Sequence, residues 1–600
     1  MKRRPLSPTC AALALLILSS VGRAAIPTPE QLLPANTTEL VVISDLNRLE
    51  QTWTQTQLAR LLADPAMKPF LDEVWPTTKN HNYLVETMGA SWSTIKAAAG
   101  GDMGWGLALL NDKEVAHILT LDMVGRPEGA RALYKEVGDK LQAQGAKFDQ
   151  RTYEGMSLIV AELPQNRLIL YGVKDTILVA TDHWAALQGV MARFNGRAND
   201  SLANQLAHQK VRQRSQPLPG ESPLLRWYYE PVARVEAQMI FQPELKKVKG
   251  DNLAQCLRKE GVDAIKGVGG TVAFVSNGTD MLARGAAYAP PPFRGAMRMA
   301  RLPNETLATP EPWVPADLSA WVTVSLDLVN ALDTFDTLFE RLADEDPGTY
   351  KEILDSLKND PDGPRVDIRK EIFEQLTNRV TLVNDATVPA HEKSERFVIG
   401  IPAKDAEAAK IVAKALVKCF EPDKRMSKRV FQGALIWEYT PRQAIAKSRR
   451  GTDQAMNVPT IAFSVARGSL FISTHGGLLE KILSNTNRHN LAEASDFQRL
   501  MAEMVRLGMG PSSSRFFGRV DLGARTTYEM LRANRLAGVE SVYAHILLQM
   551  VKLDDEGKRL RVDGSKLPPY SVVTPYLSLI GSYSTTFDDG WSATAVSLKK

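Results

Sequence analysis

A stretch near the start of the chain comes back near its middle. Leu33–Val74 reads LPANTTELVVISDLNRLEQTWTQTQLARLLADPAMKPFLDEV, and Val314–Leu357 reads VPADLSAWVTVSLDLVNALDTFDTLFERLADEDPGTYKEILDSL. Pro34-Ala35-Asn36 aligns with Pro315-Ala316-Asp317, Asp45-Leu46 with Asp327-Leu328, and Asp64-Pro65 with Asp346-Pro347. Trp53 falls on Phe335, and one inserted residue accounts for the whole stretch. Whatever this chain folds into must therefore accommodate the same series of elements twice. A single period of this size points to a duplicated domain and not to a solenoid of short repeats.

The correspondence runs on to the C-terminus. Tyr153-Glu154-Gly155 matches Phe431-Gln432-Gly433, a turn before Leu158–Ala161 and Leu435–Tyr439. The hairpin Arg167–Val173 with Thr176–Thr181 matches Thr460–Ala466 with Ser469–Thr474. Arg226–Glu230 matches Arg515–Arg519. The closing pair Gly270–Val275 with Met281–Tyr288 matches Gly581–Phe587 with Ser592–Leu598. Their turns, Asn277-Gly278 and Asp589-Gly590, are of the kind whose glycine supplies positive φ. Length differences fall in Arg442–Val458 and Val562–Pro575, as expected of loops.

Local signals define the elements within each copy. Asp45 is an N-cap, with Leu46, Leu49 and Trp53 on one helical face behind it. Asp64-Pro65 is a second helix start, with Met67, Phe70, Leu71 and Val74 as its apolar stripe. Amphipathic helices are predicted over Pro127–Gln142 and Ala403–Phe420. Short strands joined by tight turns imply antiparallel pairing. The predicted class is α+β: two tandem homologous domains, each a mainly antiparallel sheet with helices packed on one face. Runs such as Leu168–Tyr171 and Ile177–Ala180, apolar at every position, read as central strands. The first domain spans residues 25–288 and the second 316–600, separated by a Pro-rich, partly extended linker at 289–315.

Residues 1–24 read as a signal peptide. Lys2, Arg3 and Arg4 precede the apolar run Cys10–Val21, and Gly22-Arg23-Ala24 supplies small residues for cleavage after Ala24. The run is shorter than the ~20 residues that span a bilayer. A leader retained as an anchor is the alternative; otherwise the mature chain has no transmembrane anchor and is secreted or periplasmic. The formal net charge is +5, and four of those charges are Lys2, Arg3, Arg4 and Arg23. Removing them leaves a nearly neutral chain with no electrostatic case for a nucleic-acid partner. Cys256 and Cys419 remain, as two free thiols or one disulfide.

The Pro-Ala-Asp/Asn start, the strand, the Asp-Leu helix, the LARLLADPAMKPFLDEV helix and the repetition of the set resemble an uncharacterised family. Its members are secreted or envelope bacterial proteins with a duplicated domain of unknown function. The resemblance implies an extracytoplasmic protein with duplicated α+β domains, and carries no activity or site with it.

Familiar chemistries find little support. Ser93-Thr94-Ile95-Lys96 has the Ser-x-x-Lys spacing of penicillin-recognising hydrolases, without their Ser-Asp-Asn and Lys-Thr-Gly elements. His391-Glu392 starts like a zinc-protease helix, but Glu395 stands where the second histidine belongs. His183 and His475, at matching helix starts, read as caps or as polar surface residues, not as metal ligands. Gly100, Gly101, Gly104 and Gly106 precede a strand, the reverse of a phosphate cradle, and read as a turn. Lys424, Arg425, Lys428 and Arg429, with Arg442, Lys447, Arg449 and Arg450, read as two solvated basic loops. The carboxylate runs Asp344-Glu345-Asp346 and Asp554-Asp555-Glu556 read as caps and turns. Arg226-Trp227-Tyr228-Tyr229-Glu230 and Arg515-Phe516-Phe517 read as aromatic strands of the sheet. No catalytic, cofactor-binding or metal-binding residue is assigned and no cofactor is expected. The leading reading is a non-enzymatic secreted or periplasmic binding or structural protein, its partner another envelope protein or an apolar small molecule. The second is a carrier of an apolar ligand such as lipid, and the third a serine hydrolase using Ser93 and Lys96.

Overall fold

Local turn chemistry sets the hairpins. Glu154-Gly155 takes φ of 51° and 80°, Gln432-Gly433 48° and 79°, and Arg467-Gly468 50° and 72°. Two successive positive φ values make the tight turn whose twist suits the strands on either side. The computed structural model describes residues 26–74, 83–241, 251–275, 278–306, 309–342, 345–439, 444–446, 454–456, 461–484, 490–536, 539 and 563–599. The predicted leader at residues 1–24, the basic residues Arg442, Lys447, Arg449 and Arg450, Asn277, Asp344 and Asp554-Asp555-Glu556 lie outside the described residues.

In the first half the strands are β1 Thr37–Ile43, β2 Met103–Leu109, β3 Val115–Asp122, β4 Lys147–Tyr153, β5 Met156–Leu163, β6 Arg167–Lys174, β7 Ile177–Thr181, β8 Leu225–Tyr229, β9 Gly267–Phe274 and β10 Thr279–Tyr288. In the second they are β11 Ala320–Ser325, β12 Arg379–Ala386, β13 Glu395–Pro402, β14 Met426–Phe431, β15 Ala434–Tyr439, β16 Ile461–Ala466, β17 Ser469–Ser473, β18 Ser514–Arg519, β19 Leu579–Phe587 and β20 Gly590–Leu598. A small separate hairpin pairs Ala444–Ala446 with Gln454–Met456.

Every pairing is antiparallel. The spatial order in the first half is β4-β5-β6-β7-β3-β2-β1-β8-β9-β10. In the second it is β14-β15-β16-β17-β13-β12-β11-β18-β19-β20, the same order strand for strand. The last strands of the two halves then pair with each other. Leu282 lies opposite Val596, Ala283 opposite Ala595 and Arg284 opposite Thr594. The result is one continuous sheet of 20 strands.

Helices cover both faces of this sheet, which corrects the one-faced arrangement expected from the sequence. In β3, Ile118 joins Val179, Leu187 and Val190 in one buried cluster. Its neighbours Leu119 and Leu121 join Leu133, Val137 and Leu141 of the Pro127–Ala143 helix in another. In β17, Phe471 packs with Leu479 and Ile482 on one face, and Leu470 with Val412 and Leu416 on the other. Strands apolar at every position have two faces to bury, so each demands its own cover. Each fully buried Leu or Ile contributes about 1.5–3 kcal/mol.

Segment 289–315 contains a short turn of helix at Gly295–Met299. Its end is built into the core: Trp313 is 2% exposed and sits edge-on to Phe471, with ring centres 5.0 Å apart.

The helices after β1 reach across to the other half. Leu61 and Met67 pack with Leu567, Tyr570 and Val573. Tyr576 donates to Asp64 at 2.8 Å, and the Asp563 amide donates to Glu73 at 2.9 Å. The helix Asp336–Leu342, which follows β11, does the converse. Arg341 Nε donates to Glu260 Oε1 at 2.6 Å and Thr337 Oγ1 to Glu260 Oε2 at 3.1 Å. Each half thus lends an arm to the other.

Candidate functional site

The arm contributed by the first half borders a cleft in the second through Phe70. Its floor is the sheet, where Ala320 of β11, Gly518 of β18 and Ile580 of β19 lie side by side in register. Its roof is the helix Arg525–Arg532, through Tyr528 and Leu531, with Phe70 of the first half at one side. The space is a half-open cleft of about 550 Å³, within the usual range for small-molecule sites.

Two small residues open this space. The equivalent row in the first half is Glu39, Tyr229 and Val268. There Tyr229 stacks on Trp227 with ring centres 5.6 Å apart. Glu39 accepts from Arg234 Nε at 2.8 Å, and the Arg234 guanidinium lies 5.9 Å from the Tyr229 ring. Beside β18 the Phe516 ring leans over Gly518, where a Cβ would meet its Cζ at 2.7 Å, and Ala320 carries one methyl, so neither Gly518 nor Ala320 sends a long side chain into the space.

The polar groups in the wall are turned to the protein. Arg519 forms two hydrogen bonds with Asp496, at 2.6 and 2.8 Å, and donates to the Ala316 and Leu318 carbonyls. Burial opposes ionisation of Asp496, but the Arg519 contacts outweigh it and hold the carboxyl below its ordinary range. Ser319 donates to the Asn384 carbonyl at 2.8 Å, and Asn384 Nδ2 donates to the Arg396 carbonyl at 3.3 Å. Thr527 donates to Glu395 at 3.2 Å. Tyr528 donates to the Pro568 carbonyl at 2.8 Å, and burial pushes its phenol up to about 12. What remains for a ligand is an apolar surface.

On the opposite face of the first half, Arg226 is the hub of an ion cluster. It donates to Glu30 at 2.9 Å, to Asp102 at 2.7 Å and to Ser44 at 2.7 Å. Burial raises the Glu30 pKa, yet the Arg226 charge and hydrogen bonds bring it below its usual value. His208 lies alongside, edge-on to Tyr228 with ring centres 5.3 Å apart. Its Nδ1 is buried without a hydrogen-bond partner, and burial drives its pKa down to about 4.

The residues singled out in the sequence take ordinary roles. Lys96 pairs with Glu50, and Ser93 bonds to Ser91 at 3.1 Å, so the Ser-x-x-Lys residues face different partners. His183 Nδ1 caps the helix Trp184–Phe194 by accepting from the Ala185 amide at 3.2 Å. His475 shares a 2.9 Å hydrogen bond with Thr474, and His391 Nδ1 accepts from the Lys393 amide at 3.2 Å. Gly104 and Gly106 are not in the expected turn but inside β2, where a Cβ on Gly106 would lie 2.0 Å from Leu33 Cδ2. Lys428 and Arg429 are not in the expected loop but in β14, paired with β15, and with Arg425 they are ion-paired to Asp423, Glu421, Glu438 and Glu480. Cys256 and Cys419 are free thiols, the first buried.

Reading the sequence missed Gly518 and Ala320. The signal was present where Arg226–Glu230 aligns with Arg515–Arg519, since Tyr229 falls on Gly518. Comparison with family models, with curated proteins and with solved structures finds no match to this chain. Among the described residues no helix is long and apolar enough to cross a membrane.

Proposed function

We propose that this chain is a non-enzymatic, extracytoplasmic binding protein that carries an apolar small molecule in the cavity of its second half. The observation that carries the reading is the 550 Å³ space with an apolar lining, whose polar neighbours are already bonded within the protein. A site of that kind rewards burial of hydrocarbon and offers little to a polar substrate. The leader at residues 1–24 and the resemblance to envelope proteins support placement outside the cytoplasm.

The two halves are copies of one ancestral unit in this reading. Their strand order agrees throughout, and the joint between them is self-complementary. Aligning Gly278 with Gly590 makes Ala283 and Ala595 equivalent, and those two residues face each other. Pairing of a residue with its own counterpart is what a two-fold interface produces. An ancestral dimer joined end to end accounts for the continuous sheet and the exchanged arms. One copy then kept the space beside Tyr229 filled, and the other opened it for a ligand.

Native mass spectrometry of the purified chain tests the proposal. A reproducible extra mass that extracts into organic solvent is expected. In Gly518→Tyr, which reproduces the first half's residue and requires the Phe516 ring to swing aside, that mass should disappear from protein whose circular dichroism spectrum matches the wild type. Clean apo protein from several hosts, or an unchanged extra mass in Gly518→Tyr, refutes it.

A further inference from the structure

We propose that the first half holds a second and chemically different site, which takes a small alkylammonium. It is a half-open pocket of about 200 Å³ against the ends of β2 and β3. Asp102 and Asp122 line it together with Gly101, and Pro29, Leu32 and Ile177 give it an apolar wall.

Strand pairing brings the two carboxylates together. Met103 of β2 lies opposite Leu121 of β3, so the next residues along, Asp102 and Asp122, face each other. The Asp122 amide donates to the Asp102 carbonyl at 3.0 Å. Like charges directly opposite on neighbouring strands repel. The fold does not require them. The Gly100 amide donates to the Asp122 carbonyl at 2.8 Å, and in the second half the Thr377 amide donates to the Pro402 carbonyl at 2.8 Å. Pro402 therefore stands where the first half has Asp122, and Arg379, two residues after Thr377, stands where it has Asp102. One half keeps an acid pair where the other has a cation and a proline.

One oxygen of that pair is left for a ligand. Asp122 is 9% exposed. Its Oδ1 accepts from the Val124 amide at 3.0 Å and from Thr176 at 2.8 Å. Its Oδ2 has no hydrogen-bond or ion-pair partner among the described residues. A Cβ on Gly101 would lie 2.4 Å from this oxygen, so the glycine keeps the pocket side of it clear. A carboxylate oxygen taken largely out of water without a donor carries a desolvation penalty, which a bound donor relieves.

Charge decides the class. Among the described residues Arg226 is the ion-pair partner of Glu30 and Asp102, and Asp122 has none. Lys174 lies across Ile177 from Asp122, but its ammonium is at the Glu154 carbonyl, 2.9 Å away, and over the Phe194 ring. A single guanidinium set against the carboxylates of Glu30, Asp102 and Asp122 leaves negative charge in excess beside the pocket. An ammonium supplies the missing charge and several N–H donors at once. A metal such as calcium needs about six or more oxygen ligands, and among the described residues no group of three His, Cys, Asp or Glu is placed to hold one. The apolar wall of Pro29, Leu32 and Ile177 suits a short alkyl chain.

The test uses the full chain and butylammonium chloride as the probe, with butanol as its neutral counterpart. Potassium chloride at about 0.1 M screens general attraction between exposed charges. Calorimetric titration should show butylammonium binding with Kd in the millimolar range or tighter, and butanol at least about tenfold weaker. Asp122→Asn keeps the Oδ1 acceptor and removes the charge, and should weaken butylammonium at least about tenfold without changing butanol. Asp102→Asn should weaken it several-fold. No butylammonium binding up to about 10 mM, equal affinity for the two probes, or unaltered affinity in whichever asparagine variant keeps the wild-type circular dichroism spectrum would each overturn the proposal.

Discussion

Replacing His208 with phenylalanine should remove a component of the chain's acid sensitivity. Burial is the largest influence on this histidine and lowers its pKa from 6.5 to about 4; the nearby Glu30 charge pulls the other way. In the unfolded chain the imidazole takes a proton near pH 6.5. Between those two values the unfolded state binds more protons than the folded one, so stability falls as pH drops. The loss begins near pH 6.5 and is complete below about pH 4. At ~1.4 kcal/mol for each unit of pKa, the full effect is about 3 kcal/mol, of which about 2 kcal/mol is lost by pH 5. His208→Phe abolishes this component and installs the residue the second half uses at Phe497. Urea unfolding of wild type and variant at pH 7.5 and pH 5 measures it. The stability difference between the two proteins should widen by about 2 kcal/mol at the lower pH. Other titrating groups are common to both proteins and cancel. Equal pH dependence in the two would refute the reasoning.

Arg284 is buried at the joint between the halves, where it pairs with Glu221 at 2.6 Å and donates to Thr594 and the Leu507 carbonyl. Arg284→Met strands the Glu221 charge and should cost about 3–5 kcal/mol in urea unfolding, much of it recovered by adding Glu221→Leu. Gly106→Ala forces a methyl against the fully buried Leu33 and should lower stability by about 1–3 kcal/mol, read from the urea midpoint. Leu61→Ala opens a void beneath the exchanged arm and should cost about 2–5 kcal/mol. Its limited-proteolysis pattern should show faster cleavage near residues 57–74, which no change at that site would contradict.

Features that depend on a few neighbouring residues were legible in the chain itself. Asp45 accepts from the Arg48 amide and Asp64 from the Ala66 amide, as their cap positions predict. The Glu154-Gly155 and Gln432-Gly433 turns follow from φ preferences settled within two residues. Antiparallel pairing followed from those turns, since strands joined so closely have no other geometry. The covering of both sheet faces could have been read from Leu168–Tyr171 and Ile177–Ala180, whose apolar runs leave no face for water.

The tertiary structure decided what the sequence order cannot express. That β10 lies beside β20 is a choice between two unpaired edges, and nothing local favours one partner over another. The apolar cavity depends on Ala320, Gly518 and Ile580 being adjacent, although they come from three distant segments. Its roof comes from elsewhere again, with Phe70 reaching over from the other half. A strand records which residue types it holds, but the volume left between strands and helices is a property of their assembly. For that reason the sequence determined the elements and the order in which similar ones recur, and only the packed chain decided where one half leaves a space that the other fills.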